Sequence, residues 1–179
     1  IDFVMGHPDG DGYLGPQAVK PPSGINRWVH TVFFRALMAR HSATGEAHIP
    51  EALRRHYLSN TSPHCVGREV TNVECILWAY EQTGDLRLLN HALQAYQAYN
   101  LHSAKAPTSV PSMLSDAPPA GHGVTYNELA KLGAIVYKFA GELKYLDATV
   151  NAYRKLDRDH MLISGVPSST EALHGKDPL

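Results

Sequence analysis

Residues 122–171 decide the fold, and they read HGVTYNELAKLGAIVYKFAGELKYLDATVNAYRKLDRDHMLISGVPSSTE. The first part has the apolar spacing of one helix face, at Leu129, Leu132, Ile135, Val136 and Phe139. The turn at 140–142 ends this helix, because glycine adopts the left-handed conformation of a helix C-terminus without steric cost. A second helix follows, with one predicted apolar face at Tyr145, Leu146, Val150, Tyr153 and Leu156. The stretch therefore predicts a helical hairpin that leads into a polar loop at 163–171.

The same turn occurs twice upstream, as Thr44-Gly45-Glu46 and Thr83-Gly84-Asp85. Each glycine is followed by an acidic residue, which suits the positive end of the next helix. The fourth residue after the three glycines is Ile49, Leu88 and Tyr145, and the twelfth is always a tyrosine, at Tyr57, Tyr96 and Tyr153. Repeated helical hairpins indicate an α-solenoid or an α/α toroid. We therefore predict an all-α chain, with helices that include one from about Asn26 to Ser42, whose broad apolar face includes Val29 and Val32. The segment 101–121, which contains four prolines, is predicted to be a long irregular loop.

Composition excludes several classes of function. The 179 residues suffice for one domain with a sizeable core, and we treat 1–179 as part of a single domain. A net charge of −1 without a basic stripe argues against nucleic acid as a partner. No apolar run reaches the ~18 residues that a membrane span needs. Cys65 and Cys75 are too few for a disulfide framework and fit no zinc spacing, so we expect packed thiols.

The candidate functional residues follow from the toroid geometry, in which the N-termini of the inner helices surround one mouth. His122 precedes one inner helix, and Glu171 lies in the loop where the next should begin. A carboxyl group beside a histidine is a suitable acid/base pair, and sugar-cleaving enzymes commonly use a carboxylic acid to protonate the glycosidic oxygen. The alternative for Glu171 is a helix cap.

Three further residues are candidates for sugar contacts. Tyr13 and Trp28 would present flat faces to sugar rings if they lie near the mouth. His30 lies on the helix that contains Trp28. There it is either a structural histidine, which its setting favours, or a further contact to the sugar.

Several short motifs occur here in the same order as in glycoside hydrolase family 127. They are Asp11-Gly12-Tyr13-Leu14-Gly15, the Thr-Gly-Glu and Thr-Gly-Asp turns, His122-Gly123-Val124 and the loop 163–171. The chain resembles the catalytic domain of the β-L-arabinofuranosidase type. The likeness runs over nearly the whole chain and covers about half of that domain.

The resemblance implies an (α/α)6 barrel, of which this chain forms about half, and a retaining hydrolase. It makes Glu171 the acid/base and places His122 in the sugar subsite. It also implies zinc and a zinc-bound cysteine nucleophile in the complete domain. The zinc ligands, a Glu-x-Cys and a later Cys pair, are expected beyond Leu179, so no metal ligand is assigned within this chain.

The implied substrate is an L-arabinofuranoside or a related plant-derived glycoside or oligosaccharide. The family has a histidine where this chain has Val32, with His30 nearby, so the sugar itself is not fixed. The rest of the domain is a further expected partner, and we expect the 179 residues alone to be inactive. By analogy the compartment is the cytoplasm or the periplasm.

Two alternatives stay open. One is another (α/α)6 sugar enzyme, of the unsaturated glucuronyl hydrolase or N-acylglucosamine epimerase type, which relies on Asp or His pairs rather than a zinc thiolate. The other is a helical-repeat binding module without catalysis. Insensitivity of the full protein to chelators would favour the first, and unchanged ligand affinity in Glu171→Gln, with no turnover to lose, would favour the second.

Overall fold

The computed structural model describes residues 1–59, 62–167 and 170–176, and the regular elements in these ranges are helices. The prediction of an all-α chain is therefore confirmed. The chain divides into two compact units, Ile1–Ala98 and Tyr99–Leu179. Each unit has its own buried core. None of the described helices is both long enough and apolar enough to span a membrane.

The part of the chain that the structure describes contains nine α-helices. In chain order they are α1 (Asp2–Gly6), α2 (Trp28–Thr44), α3 (His48–Ser59), α4 (Asn72–Thr83), α5 (Leu86–His102), α6 (Val110–Leu114), α7 (Gly123–Ala130), α8 (Leu132–Ala140) and α9 (Leu143–His160). Two short 3₁₀ turns accompany them, at Gln17–Val19 and Gly67–Thr71.

The first unit is built around α2, α3 and α4, which pack against one another. The helix predicted from about Asn26 begins two residues later, at Trp28, with Arg27 as its N-cap, and the Asn26 side chain accepts a hydrogen bond from the Trp28 N–H (2.9 Å). The three helices supply fully buried apolar side chains to one core: Phe34, Leu37, Ile49, Leu53, Ile76 and Leu77.

The three predicted glycine turns are present. Gly45, Gly84 and Gly141 end α2, α4 and α8 with left-handed φ angles of 71°, 70° and 71°. The amide of each bonds to the carbonyl four residues earlier, which satisfies a helix-end acceptor. The fourth residue after each glycine is buried, as the repeat predicts: Ile49, Leu88 and Tyr145.

The face of α2 differs from the predicted one. Val29 and Val32, expected to be buried, are half-exposed, whereas the polar His30 and Thr31 are buried. The polar residues face inward because they have partners there: the Thr31 hydroxyl lies 2.9 Å from that of Thr71. Apolar spacing alone could not identify this face, because it gave no weight to buried hydrogen bonds.

In the second unit α9 packs against α6, α7 and α8. The single helix expected from 122 to 139 is divided at Lys131 into α7 and α8. The Thr149 hydroxyl of α9 accepts the Ala134 N–H (3.0 Å) and donates to the Ala130 carbonyl (2.7 Å). These two backbone groups would bond to each other in an unbroken helix, so a side chain inserted between them divides it.

The buried face of α9 is also only partly the predicted one. Tyr145 and Leu156 are buried, but Val150 and Tyr153 are 59% and 38% exposed. The face toward the core is instead made of small or polar side chains: Ala148, Thr149, Ala152, Lys155 and His160. Thr149 lies where α8 and α9 approach closely, and Lys155 and His160 are buried with carbonyl partners, so hydrophobicity alone does not select the face.

The segment 101–121, predicted as an irregular loop, contains α6. Ser109 caps it by accepting a hydrogen bond from the Ser112 N–H, and the buried Lys155 amine donates to the carbonyls of Ser112 and Ser115, each at 2.9 Å. A cation at these carbonyls stabilises a helix C-terminus. Proline at the second position of α6 suits a first helical turn, although its presence in the sequence suggested a loop.

Candidate functional site

His122 is held at the start of α7 as its N-cap. Its Nδ1 accepts the Thr125 N–H (3.1 Å) and lies 3.1 Å from the Thr125 hydroxyl. Because Nδ1 acts as an acceptor, the proton of the neutral ring belongs on Nε2. This nitrogen faces away from the helix and toward Glu171. The local sequence therefore fixes both the position and the tautomer of the imidazole.

Glu171 is brought to His122 by a short antiparallel bridge between residues 122 and 172. The Gly123 N–H donates to the Glu171 carbonyl (2.7 Å), and the Leu173 N–H donates to the Gly121 carbonyl (2.8 Å). As a result, Oε2 of Glu171 lies 3.8 Å from Nε2 of His122. The two side chains are 92% and 40% exposed, so both are accessible to a ligand.

A groove of about 540 Å³ lies beside this pair, and its lining includes Gly123 and Thr170, the chain neighbours of His122 and Glu171. The rest of the lining combines apolar and polar side chains: Val124, Asn127, Glu128, Lys131, Val166 and Pro167. Two residues of the predicted loop motif, Ser168 and Ser169, lie outside the described residues. A groove with an apolar wall and a few polar groups suits a small polar ligand.

The His122–Glu171 pair has the chemical requirements of an acid/base site. A carboxyl group can donate and accept a proton, and a neutral imidazole with its proton on Nε2 can donate a hydrogen bond to the carboxylate or to a ligand hydroxyl. At 3.8 Å the pair is too far apart for a direct hydrogen bond, so both groups keep capacity for a ligand.

Tyr13 and His30, also predicted to contact sugar, lie together in the core of the first unit. The Tyr13 hydroxyl is 3.2 Å from Nε2 of His30, and its ring stacks on His56 at 5.0 Å between centroids. Both side chains are almost fully buried. The expectation that Tyr13 presents a ring face to a sugar does not fit this position, since His56 covers the ring. His30 is placed as the structural histidine that its helix favoured.

Trp28 is half-buried, and the Arg68 guanidinium lies over its ring, 3.7 Å from the centroid. This is the geometry of a cation–π contact. One face of the indole therefore packs against Arg68 rather than facing solvent.

The first unit also contains a buried polar network that was not predicted from the sequence. Nε of Arg27 donates to Oε1 of Glu69 (2.7 Å), and the Ser62 hydroxyl donates to the same oxygen (3.1 Å). Nδ1 of His64 is 3.2 Å from this oxygen. His64 has a φ of 45°, an uncommon backbone conformation for a residue other than glycine.

The electrostatics of this network favour an ionised Glu69. Burial raises the pKa of Glu69, but the contacts with His64 and Arg27 lower it by more. The result is a pKa of about 2, below the usual value for a glutamate. Burial also lowers the pKa of His64, so at neutral pH the permanent charge beside Glu69 comes from Arg27. The network joins the start of α2 to the turn before α4. Nothing in the sequence marked this network, because an acid in the first turn of a helix, such as Glu69, usually serves the helix dipole.

No residues that fit the expected zinc were found in the described part of the chain. Groups of three or more His, Cys, Asp or Glu side chains that could hold a metal ion are absent from those residues. Cys65 and Cys75 are buried and are not joined in a disulfide, and packed cysteines were expected. Comparisons with protein-family models, with curated proteins and with solved structures found no significant match.

Proposed function

We propose that the chain is part of a retaining glycoside hydrolase with an (α/α)6 barrel, acting on L-arabinofuranosides or related plant-derived sugars. The observation that carries this proposal is the bridge that brings the Glu171 carboxylate to 3.8 Å from Nε2 of His122. The motif order, which resembles family 127, supplies the class of substrate. The remaining half of the barrel, with its zinc and cysteine nucleophile, belongs to the same proposal.

In this proposal Glu171 is the acid/base. Its protonated carboxyl group donates a proton to the glycosidic oxygen as the bond to the sugar breaks, and its carboxylate later removes a proton from the attacking water. The exposure of the side chain suits this role, since both water and leaving group must reach it. The residues described do not form a zinc site, so no step is assigned to the metal.

His122 is the sugar-contacting residue in this proposal. Its Nε2–H can donate to a sugar hydroxyl, while Thr125 holds Nδ1 from the other side. A ring fixed in this way loses little conformational freedom when the ligand binds. The adjoining groove then receives the rest of the glycoside.

The test compares Glu171→Gln with the original residue in the complete polypeptide that carries this chain, using an aryl L-arabinofuranoside. Loss of a general acid/base should reduce kcat by about 100-fold or more, while the protein stays folded. Asp157→Asn is the matched control, because Asp157 is an exposed acid on α9, and it should keep full activity. Activity of Glu171→Gln equal to that of the control would exclude the proposed role.

A further inference from the structure

His160, the last residue of α9, is buried between two segments of the second unit. Its Nε2 is 2.9 Å from the carbonyl oxygen of Pro119, and its Nδ1 contacts the carbonyl oxygen of His174. Pro119 precedes His122 by three residues, and His174 follows Glu171 by three. The imidazole therefore fastens the two segments that hold the proposed acid/base pair.

The chemistry of these contacts constrains the ring. A carbonyl oxygen only accepts hydrogen bonds, so each ring nitrogen must donate one. A neutral imidazole has a single N–H, whereas the imidazolium has two. The imidazolium therefore satisfies both carbonyls, and the neutral ring would leave one of them facing a nitrogen lone pair in a buried site, which is unfavourable.

The groups around the ring are compatible with a positive charge. Asp159 is adjacent on α9, and a hydrogen bond from Arg158 lowers the pKa of its carboxyl group, so it stays negatively charged at neutral pH. The segment before α7 presents the Pro119 carbonyl, and the segment after Glu171 presents the His174 carbonyl. Nε2 of His174 is itself hydrogen-bonded to the Thr170 hydroxyl (2.7 Å).

We propose that His160 is a positioning residue that, in its doubly protonated form, holds the Glu171 segment against the His122 segment. When His160 loses a proton, one carbonyl loses its donor, and the bridge between residues 122 and 172 loosens. Glu171 then moves away from His122. The relevance to catalysis rests on the proposed function. The contacts by which His160 holds the two segments together, which we call the clamp, do not.

The first test is a titration of the wild-type chain followed by nitrogen NMR of the His160 ring. At low pH both ring nitrogens should have the chemical shifts of protonated nitrogens. As the pH is raised, the amide signals of Gly123 and Leu173, the two bridge donors, should change along the same curve as the ring. A ring that is neutral throughout while the bridge stays intact contradicts the proposal.

The second test is hydrogen exchange in His160→Gln, which can donate from only one end of its side chain. The Gly123 and Leu173 amides should exchange about ten-fold faster or more, while amides in the middle of α9 keep their protection. His102→Gln, which changes an exposed histidine at the end of α5, is the control and should leave both rates unchanged. Unchanged rates in His160→Gln also contradict the proposal.

Neither readout depends on turnover. If Glu171→Gln kept full activity, the proposed function would fail and the clamp would stand. If the bridge were insensitive to His160, the clamp would fail and Glu171 could still be the acid/base. Should His160→Gln not fold, the titration of the wild-type chain decides by itself.

Discussion

At the scale of single residues, the buried histidines of the first unit make the stability of the fold depend on pH. His30, His56 and His64 are almost fully buried, and burial lowers the pKa of each, for His30 to about 4. Nδ1 of His56 accepts the Leu14 N–H (2.9 Å), so its neutral form carries the proton on Nε2. A positive charge on any of the three would be poorly solvated and would lie near Arg27.

We therefore predict that stability falls as the pH is lowered from about 6.5 to about 4. An unfolded histidine titrates near pH 6.5, so in this window the unfolded chain binds protons that the folded chain does not. Full stability is present above the window. For His30 alone, linkage gives a loss of about 3 kcal/mol by pH 4. Urea unfolding at several pH values measures this.

Two controls isolate the histidines. His30→Gln should flatten the pH dependence, and the exposed His102→Gln should not change it. A free energy of unfolding that stays constant between pH 6.5 and 4.5 would show that these histidines are not buried as neutral rings.

Glu69 affects stability only at lower pH. A carboxyl group whose pKa is lowered to about 2 loses its stabilising effect only as the pH falls from about 4.3 toward 2.

At the scale of helices, the close packing of α8 on α9 decides the second core. A Cβ at Gly133 would lie 2.4 Å from the Tyr145 carbonyl oxygen and 2.6 Å from the Thr149 hydroxyl, distances that real Cβ atoms essentially never show. The backbone atom cannot move aside without shifting α9. Gly133 is thus the position that sets the distance between the two helices.

Gly133→Ala should destabilise the protein by about 2–3 kcal/mol, although alanine favours helix, because overpacking forces backbone shifts. Denaturant unfolding gives the free energy. Gly175→Ala is the matched control, since a Cβ at Gly175 meets no atom within 4 Å and its φ is not positive. Equal stabilities of the two variants would mean that α8 and α9 do not approach as described.

Thr149 divides α7 from α8, and this too is testable. Thr149→Val keeps the shape but removes a hydroxyl that serves both the Ala134 N–H and the Ala130 carbonyl, so we expect a loss of about 1–3 kcal/mol. Thr149→Ser keeps the hydroxyl and should lose less. If Val is tolerated as well as Ser, the two backbone groups must instead pair with each other in a continuous helix.

At the scale of the whole molecule, the sequence predicted the all-α class and the three helices that end at a glycine. Glycine followed by an acid marked three helix ends, and the fourth residue beyond each glycine is buried, because these features depend on local backbone conformation and helical spacing. The tyrosine at the twelfth position after each glycine does not have the same burial in all three hairpins. Tyr57 and Tyr96 are buried, whereas Tyr153 is partly exposed.

Features that depend on distant partners were not predictable in this way. Glu69 bonds to Arg27 across 42 positions, and nothing in the sequence near Glu69 marks that partner. The faces of α2 and α9 were misassigned in part for the same reason. His30 is buried beside the Tyr13 hydroxyl, and Thr149 is buried at the gap between α7 and α8, so hydrophobic spacing identified the helices better than their orientations.

The approach of His122 and Glu171 was predictable only in part. Equivalent places in a repeated hairpin suggested that the two residues approach each other, and the bridge between residues 122 and 172 brings them together. The bridge itself has no periodic signature, because it consists of two backbone hydrogen bonds. Its dependence on His160 likewise required the three-dimensional contacts.

The role of Glu171 as general acid is tested by measuring kcat/KM of Glu171→Gln with two arabinofuranosides that differ in leaving group. This ratio reports cleavage of the glycosidic bond, the step in which an acid assists the departing oxygen. With an alkyl glycoside, whose leaving group needs a proton, the loss should be about 100-fold or more. With a dinitrophenyl glycoside, which leaves as a stable anion, the loss should be far smaller. An equal loss with both, or no loss with either, would contradict the assignment of Glu171 as the general acid.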